Sequence, residues 1–310
     1  MLLLSESEVR QLLDLDDLAE ALSTALATLA AGEASVPPRI AAQAAAGMLA
    51  AMPGYVPGLG LAAKLVSIYP GNDGAVAPSH QAVVVAFDEA TGTPTALVSG
   101  SYLTAVRTAM TSALAARALC GPGPLALAVL GAGIQGAAHL IALSHLLPLG
   151  EVRIASRNPD KAAELAARHP GARAVASFEE AVEGAGVICC CTDAPSPVLE
   201  DGWIRAGAHV GSVGSGGELP EGLVRRGRLV VESRDATAPR PAGAVELQGI
   251  DPAALTLLGD VLAGRAPGRR SPDEVTVFKS TGHAVEDVAA CAVALRRAHG
   301  LGVGTALPLG

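Results

Sequence analysis

Apolar side chains near the start of the chain recur every three or four residues. Ser5 with Glu8 three positions on is a capping-box signature for a first helix, and Leu18, Leu22, Leu26 and Leu29 share one face of a second over about 16–32. The period then drops to two. Strands are expected near 36–41, 47–52, 61–69, 79–87 and 95–99, separated by the turn signals Pro53-Gly54, Pro70-Gly71-Asn72-Asp73-Gly74 and Thr91-Gly92. Strands that follow one another without helices predict an antiparallel meander. After Gly121-Pro122-Gly123-Pro124, taken as the domain boundary, short apolar runs at 125–130, 151–157, 186–192, 209–213, 228–232 and 275–279 alternate with helical stretches. That alternation predicts a parallel, doubly wound sheet. A last helix over about 284–299 puts Val285, Val288, Ala289 and Val293 on one apolar face and is expected to return to the first domain. The fold class is therefore α/β: a parallel sheet over 121–283 and an α+β domain with an antiparallel sheet over 1–120, completed by 284–310.

The first parallel strand runs directly into Gly131-Ala132-Gly133-Ile134-Gln135-Gly136, with a helical run at 137–147 behind it. Strand, glycine turn and helix in that order form a dinucleotide cradle of the Rossmann type. The first glycine allows the turn, the second lets backbone N–H groups approach a pyrophosphate, and the third permits close helix packing. Gly131, Gly133, Ile134 and Gln135 are candidate cofactor contacts. The second strand ends in Ser156-Arg157-Asn158, where an NAD-specific site usually carries an acid for the ribose hydroxyls. A hydroxyl beside a guanidinium suits a ribose 2′-phosphate, so NADPH is the expected cofactor, with NADH the alternative. Ser156, Arg157 and Asn158 join the candidate set, as do Thr192, Val213, Ser280 and Gly282.

Composition narrows the class. The chain has 310 residues, 50% of them hydrophobic, enough for two buried cores. Its net charge of −8, with no basic stripe, argues against nucleic-acid binding. The apolar amino-terminal run is too short for a signal peptide or a membrane span, and the cytoplasm is the expected location. Cys189, Cys190 and Cys191 stand consecutively in a strand, where neighbours point to opposite faces, and read as buried thiols; no metal site is expected.

Lysine is scarce: Lys64, Lys161 and Lys279 are the three in the chain. Lys64 lies in the apolar strand around 60–69, on the same face as Val66 and Ile68. A lysine there needs a partner or a task, unless it snorkels from an edge strand. Arg39 and Arg107 also stand among apolar or small residues. Together the three would clamp a carboxylate, although sequence alone does not bring them together. His80 is a candidate polar wall of such a pocket or a strand histidine satisfied by backbone. His283, at the start of the last helix, is a candidate contact to nicotinamide or substrate. Glu286 and Asp287 occupy that helix's first turn, where the dipole favours acids.

Val36-Pro37-Pro38-Arg39, Met52-Pro53-Gly54-Tyr55, Ala63-Lys64, Pro78-Ser79-His80-Gln81-Ala82, Thr104 to Ala109 around Arg107, the glycine turn, and Thr276 to Asp287 occur in an order that resembles the ornithine cyclodeaminase/mu-crystallin family over nearly the whole chain. The resemblance implies a homodimer joined through the first domain. It also implies that Arg39, Lys64 and Arg107 bind substrate carboxylate, that Thr108 lies near the cofactor, and that Met52 is a substrate contact. Members differ in reaction. Cyclodeaminases carry an aspartate in the loop after the fifth Rossmann strand, and this chain reads Val210 to Glu218 there without it. Glu218 matches another family position and is not a replacement.

The expected activity is NAD(P)H-dependent reduction of a cyclic 2-imino acid, of the Δ1-pyrroline-2-carboxylate or Δ1-piperideine-2-carboxylate type, by hydride transfer to C=N. Lys64 and Arg107 are the candidate catalytic residues, and a desolvated Lys64 beside two arginines would have a lowered pKa. The alternatives are an ornithine cyclodeaminase-type ammonia lyase, an amino-acid dehydrogenase, an N-substituted amino-acid synthase, and a non-catalytic NADPH-binding protein like mu-crystallin.

Overall fold

The computed structural model describes residues 1–72, 77–192, 194–214 and 216–308. Asp73 and Gly74 of the expected turn signal, and Ser215 of the Val210–Glu218 loop, lie outside the described residues. The chain divides into two units, Met1–Arg107 with His283–Gly310, and Thr108–Gly282. The division falls inside one helix, earlier than the proline-glycine cluster, because that helix runs unbroken from Gly100 to Leu119.

In chain order the first unit contains β1 (Leu2–Leu4), α1 (Glu6–Leu12), α2 (Leu15–Ala30), β2 (Ile40–Ala44), β3 (Gly47–Val56), β4 (Gly60–Ile68), β5 (His80–Phe87), β6 (Pro94–Ser99) and the start of α3 (Gly100–Leu119). The second contains β7 (Leu125–Leu130), α4 (Ile134–Leu146), β8 (Leu149–Ala155), α5 (Pro159–Ala166), β9 (Ala172–Ala174), α6 (Phe178–Val182), β10 (Val187–Cys190), β11 (His209–Ser212), α7 (Glu221–Arg226), β12 (Arg228–Val231), β13 (Thr256–Leu257), α8 (Leu258–Leu262) and β14 (Thr276–Lys279). The chain then returns to the first unit with α9 (Ala284–Leu301) and β15 (Thr305–Ala306).

Among the described residues the first unit holds a seven-stranded sheet, ordered β15-β1-β6-β5-β4-β3-β2. From β2 to β6 it is the expected meander, although Pro53 and Gly54, expected as a turn, lie within β3 and pair with β4; β1 pairs parallel to β6, so the sheet is mixed. Ser5 caps α1 through the capping box read from Ser5 and Glu8. One face of the sheet is covered by α9, which packs on β3 and β4 and against α2. The strand expected at 36–41 begins only at Ile40. Pro37 and Pro38 have no N–H to give a ladder, and Ser35 makes just an isolated bridge with Tyr55.

Among the described residues the second unit holds an eight-stranded sheet, ordered β13-β12-β14-β11-β10-β7-β8-β9, with all its pairs parallel. Strand order reverses between β7 and β10. Their carboxyl ends therefore form the crevice in which such sheets bind ligands. Helix α3 has no counterpart in the sequence reading because it is buried nearly all round from Leu103 to Leu119, which erases an amphipathic period.

Candidate active site

Register places three of the candidates in one row. Lys64 on β4 pairs with Met52 on β3 and with Val84 on β5. Ile40 pairs with Ala51, so Arg39, one residue before β2, continues the row beside Met52. Lys64, Met52 and Val84 are buried, on the face that α9 covers. Gly54 on β3 lets the helix approach: a Cβ there would stand 3.2 Å from the Ala284 Cβ.

The first turn of α9 delivers two carboxylates to this row. Asp287 Oδ1 accepts from Lys64 Nζ at 3.0 Å and from Arg107 Nε at 2.9 Å, and its Oδ2 is 2.9 Å from Lys64 Nζ. Glu286 accepts from Arg107 Nη1 and, at 3.4 Å, from the backbone N–H of His283 at the helix N-cap. Lys64, Arg107, Glu286 and Asp287 are all buried. The two acids thus do more than complement the helix dipole, the role assigned to them from sequence. Two acidic neighbours heading an apolar stretch of helix, Val288 to Leu295, were the signal for this second task.

Burial pushes the Lys64 ammonium down from the ordinary 10.5 to about 8, the Arg107 guanidinium pushes the same way, Asp287 partly restores it, and Arg39 lowers it again. Arg39 is therefore within electrostatic reach of Lys64. Burial raises the Asp287 carboxyl, but Arg107 and Lys64 outweigh that and hold it below the usual carboxylate range. At about 8, Lys64 keeps its proton near neutral pH and can release it.

His80 stands apart from this cluster. It opens β5 opposite Ile68, four residues from Val84 and so about 13 Å along the strand. It is exposed, with Nδ1 3.1 Å from Ser79 Oγ.

In the second unit the glycine turn has the form a dinucleotide needs. Gly131 has φ +107°, and a Cβ there would lie 2.6 Å from the Cys191 carbonyl oxygen; one on Gly136 would lie 2.0 Å from the Gly131 oxygen. A Cβ on Gly133 would meet nothing within 4 Å, so the middle glycine borders open space at the head of α4. Gly133 is the N-cap of that helix and makes no side-chain cap bond, leaving the first N–H groups to a ligand. Ile134 beside it is 70% exposed. These features fit a nicotinamide dinucleotide, which Gly131, Gly133, Ile134 and Gln135 would hold.

Ser156 is half-buried and Arg157 exposed at the end of β8. Ser156 Oγ accepts from Asn158 N at 3.2 Å, and Asn158 Oδ1 caps α5 by accepting from Lys161 N at 3.2 Å. Asn158 is thereby committed to the helix start. Thr192 follows β10, and its N–H donates to Glu218 at 2.7 Å, as does its hydroxyl. Ser212 Oγ and Gly214 N donate to the same carboxylate at 2.8 and 2.9 Å. Glu218 is buried and spent on joining the ends of β10 and β11, so it is no spare acid. Val213 is half-buried at the end of β11, and Thr108 is buried on α3. Lys279 donates to Ser212 Oγ, the Gly214 oxygen and Glu246 at 2.8–2.9 Å, a buried brace. Ser280 donates to Glu232 and accepts from Gly282 N at 3.2 Å, which shapes the exit from β14.

The mouse protein named ketimine reductase mu-crystallin is 39% identical over 250 residues, covering 79% of this chain and 78% of its own. The structure of Thermococcus litoralis Δ1-pyrroline-2-carboxylate reductase in complex with NADH and L-proline superposes with a TM-score of 0.93 at 32% identity, covering 99% of this chain and all of its own. An archaeal alanine dehydrogenase dimer with bound NAD gives 0.89 at 27% identity, covering 100% of this chain and 99% of its own. The sequence profile of the ornithine cyclodeaminase/mu-crystallin family matches residues 1–300, and the chain belongs to that family of NAD(P)-dependent enzymes.

Proposed function

We propose that this protein is an NAD(P)H-dependent reductase of cyclic 2-imino acids of the Δ1-pyrroline-2-carboxylate or Δ1-piperideine-2-carboxylate type, with NADPH as the preferred reductant. The observation that carries the reading is Lys64: a buried ammonium held by Asp287, flanked by arginines and brought to about 8. When bound, the dihydronicotinamide supplies the hydride to the C=N carbon. Arg39, Lys64 and Arg107 take the substrate carboxylate, with Met52 beside them, and so fix the adjacent carbon for attack. Lys64 also gives the imine nitrogen its proton, which makes the C=N a better electrophile and completes the secondary amine. Asp287 keeps Lys64 and Arg107 in place and sets the acidity of Lys64.

Preference for NADPH rests on Ser156 and Arg157, which offer a hydroxyl and a guanidinium where an acid would repel a 2′-phosphate. A homodimer is part of the proposal. On the sheet face opposite Lys64, Ile40, Ala51, Leu65 and Val83 form a register row, and Ile40, Leu65, Val83 and nearby Leu49 are exposed apolar side chains. A second copy would cover them. The cyclodeaminase alternative lacks support from the loop after β11, whose carboxylate, Glu218, is already fully engaged.

The experiment follows NADPH and NADH absorbance with a panel of cyclic and acyclic imino acids. NADPH oxidation by the cyclic compounds is expected. Ammonia release from ornithine without net cofactor turnover would replace the proposal with a lyase, and tight NADPH binding without oxidation by any imino acid would replace it with a binding protein.

A further inference from the structure

We infer that His139, Cys189 and Cys191 form a binding site for a thiophilic, closed-shell divalent cation of the zinc class, which clips α4 to β10. One ring nitrogen and the two Sγ atoms all lie within 4.8 Å of one another, with the sulfurs 3.4 Å apart. Tetrahedral zinc, with bonds of about 2.3 Å to sulfur and 2.0 Å to nitrogen, holds its ligand atoms about 3.5–3.8 Å apart. Modest side-chain adjustment therefore suffices.

The local structure explains the convergence. Cys189 and Cys191 are two apart at the end of β10, so they share a face, while Cys190 points to the other. The expectation of no metal site weighed only adjacent residues, and sequence gave no hint that His139, far away in the chain, meets that face. His139 is buried in α4, and its Nδ1 lies 2.8 Å from the Gln135 carbonyl, which can only accept. The proton of a neutral ring therefore sits on Nδ1, leaving Nε2 as the metal donor, the arrangement that fixes ring orientation in histidine-metal sites. Nε2 is 3.0 Å from Ser112 Oγ, whose single hydrogen also serves the Thr108 carbonyl at 3.1 Å. With a neutral ring, one hydrogen faces two acceptors, and either a second ring proton or a cation at Nε2 resolves that conflict. The fourth coordination position falls to water or to the Ser112 hydroxyl. Cys191 is the least buried of the three. Binding deprotonates both thiols and releases their protons to solvent.

Two soft sulfurs and an imidazole select zinc over magnesium or calcium, which take oxygen. Because α4 starts at the glycine turn and Cys191 backs directly onto Gly131, the clip braces the nucleotide cradle from beneath.

Reduced, chelator-treated full-length protein titrated with Co2+ tests the site without reference to turnover. One equivalent should produce an intense thiolate-to-cobalt band in the near ultraviolet with the visible bands of four-coordinate cobalt, and one equivalent of Zn2+ should abolish both. Cys189→Ala and Cys191→Ala should each lose the band, while Cys120→Ala and Cys190→Ala keep it. X-ray absorption on the zinc-loaded wild-type protein, which depends on no variant, should show two sulfurs and an imidazole. Absence of the band at one equivalent, its survival in Cys191→Ala, or a zinc shell without sulfur would each overturn the inference.

Discussion

Replacing Asp287 by asparagine removes a carboxylate that both Lys64 and Arg107 contact while keeping its shape. Asp287 raises the Lys64 pKa against burial and two arginines, so its loss must drive Lys64 below about 8. Two unit charges about 3 Å apart attract by roughly 5 kcal/mol at an effective dielectric of 20. A pKa moves one unit for each 1.4 kcal/mol or so, and even a quarter of that attraction shifts Lys64 by about one unit. In the proposed mechanism the reduction needs the protonated lysine. In the wild type its rate should therefore fall as pH rises through about 8, and in Asp287→Asn the same fall should begin about one pH unit lower. The assay is the pH profile of kcat/KM for imino-acid reduction by NADPH, with circular dichroism establishing that the variant is folded. Substrate titration is common to both enzymes, so the difference between profiles belongs to the protein. With only three lysines in the chain, 13C labelling at lysine Cε follows Lys64 directly, without turnover. Identical alkaline limbs, or a Lys64 resonance that titrates no earlier in the variant, would refute the reasoning.

Other expectations follow from single contacts. Gly133→Val should fold with an unchanged melting temperature and lose cofactor binding, since its side chain enters open space at the head of α4, whereas Gly131→Ala should lose roughly 2 kcal/mol or more from its positive φ and its clash with Cys191; fluorescence titration and thermal melting separate the two. Arg157→Ala should weaken NADPH by about tenfold and leave NADH nearly unchanged, the loss of one charge-assisted contact; equal effects on both would remove the 2′-phosphate assignment. Lys64→Arg keeps the charge but not the accessible proton, so carboxylate binding should persist while turnover falls by about 100-fold, and full turnover would leave Lys64 a charge-holding role alone. Leu65→Lys combined with Val83→Lys puts two charges on the uncovered sheet face and should give a monomer in sedimentation velocity; an unchanged mass would place the dimer contact elsewhere.

Local rules carried much of this protein. The capping box at Ser5, the meander from β2 to β6, the glycine turn and the alternation after it all follow from period, caps and turn residues, which act within a few positions of one another. Motif order was sufficient to suggest the family, and Lys64 stood out because a charge in an apolar strand is costly without a partner. Other features needed the fold. The parallel pairing of β1 joins segments far apart in the chain, and α3 shows no amphipathic period because it is buried on nearly every side. Asp287 becomes the partner of Lys64 across 223 positions of sequence, and Glu218 is occupied by groups from two strand ends. His139 meets Cys189 and Cys191 because a helix packs beside a strand end. Sequence thus indicated most of the strands, the glycine turn and several of the residues that carry chemistry. Tertiary structure alone decided which of those residues meet, because Coulomb and hydrogen-bond terms depend on separation in space, not along the chain.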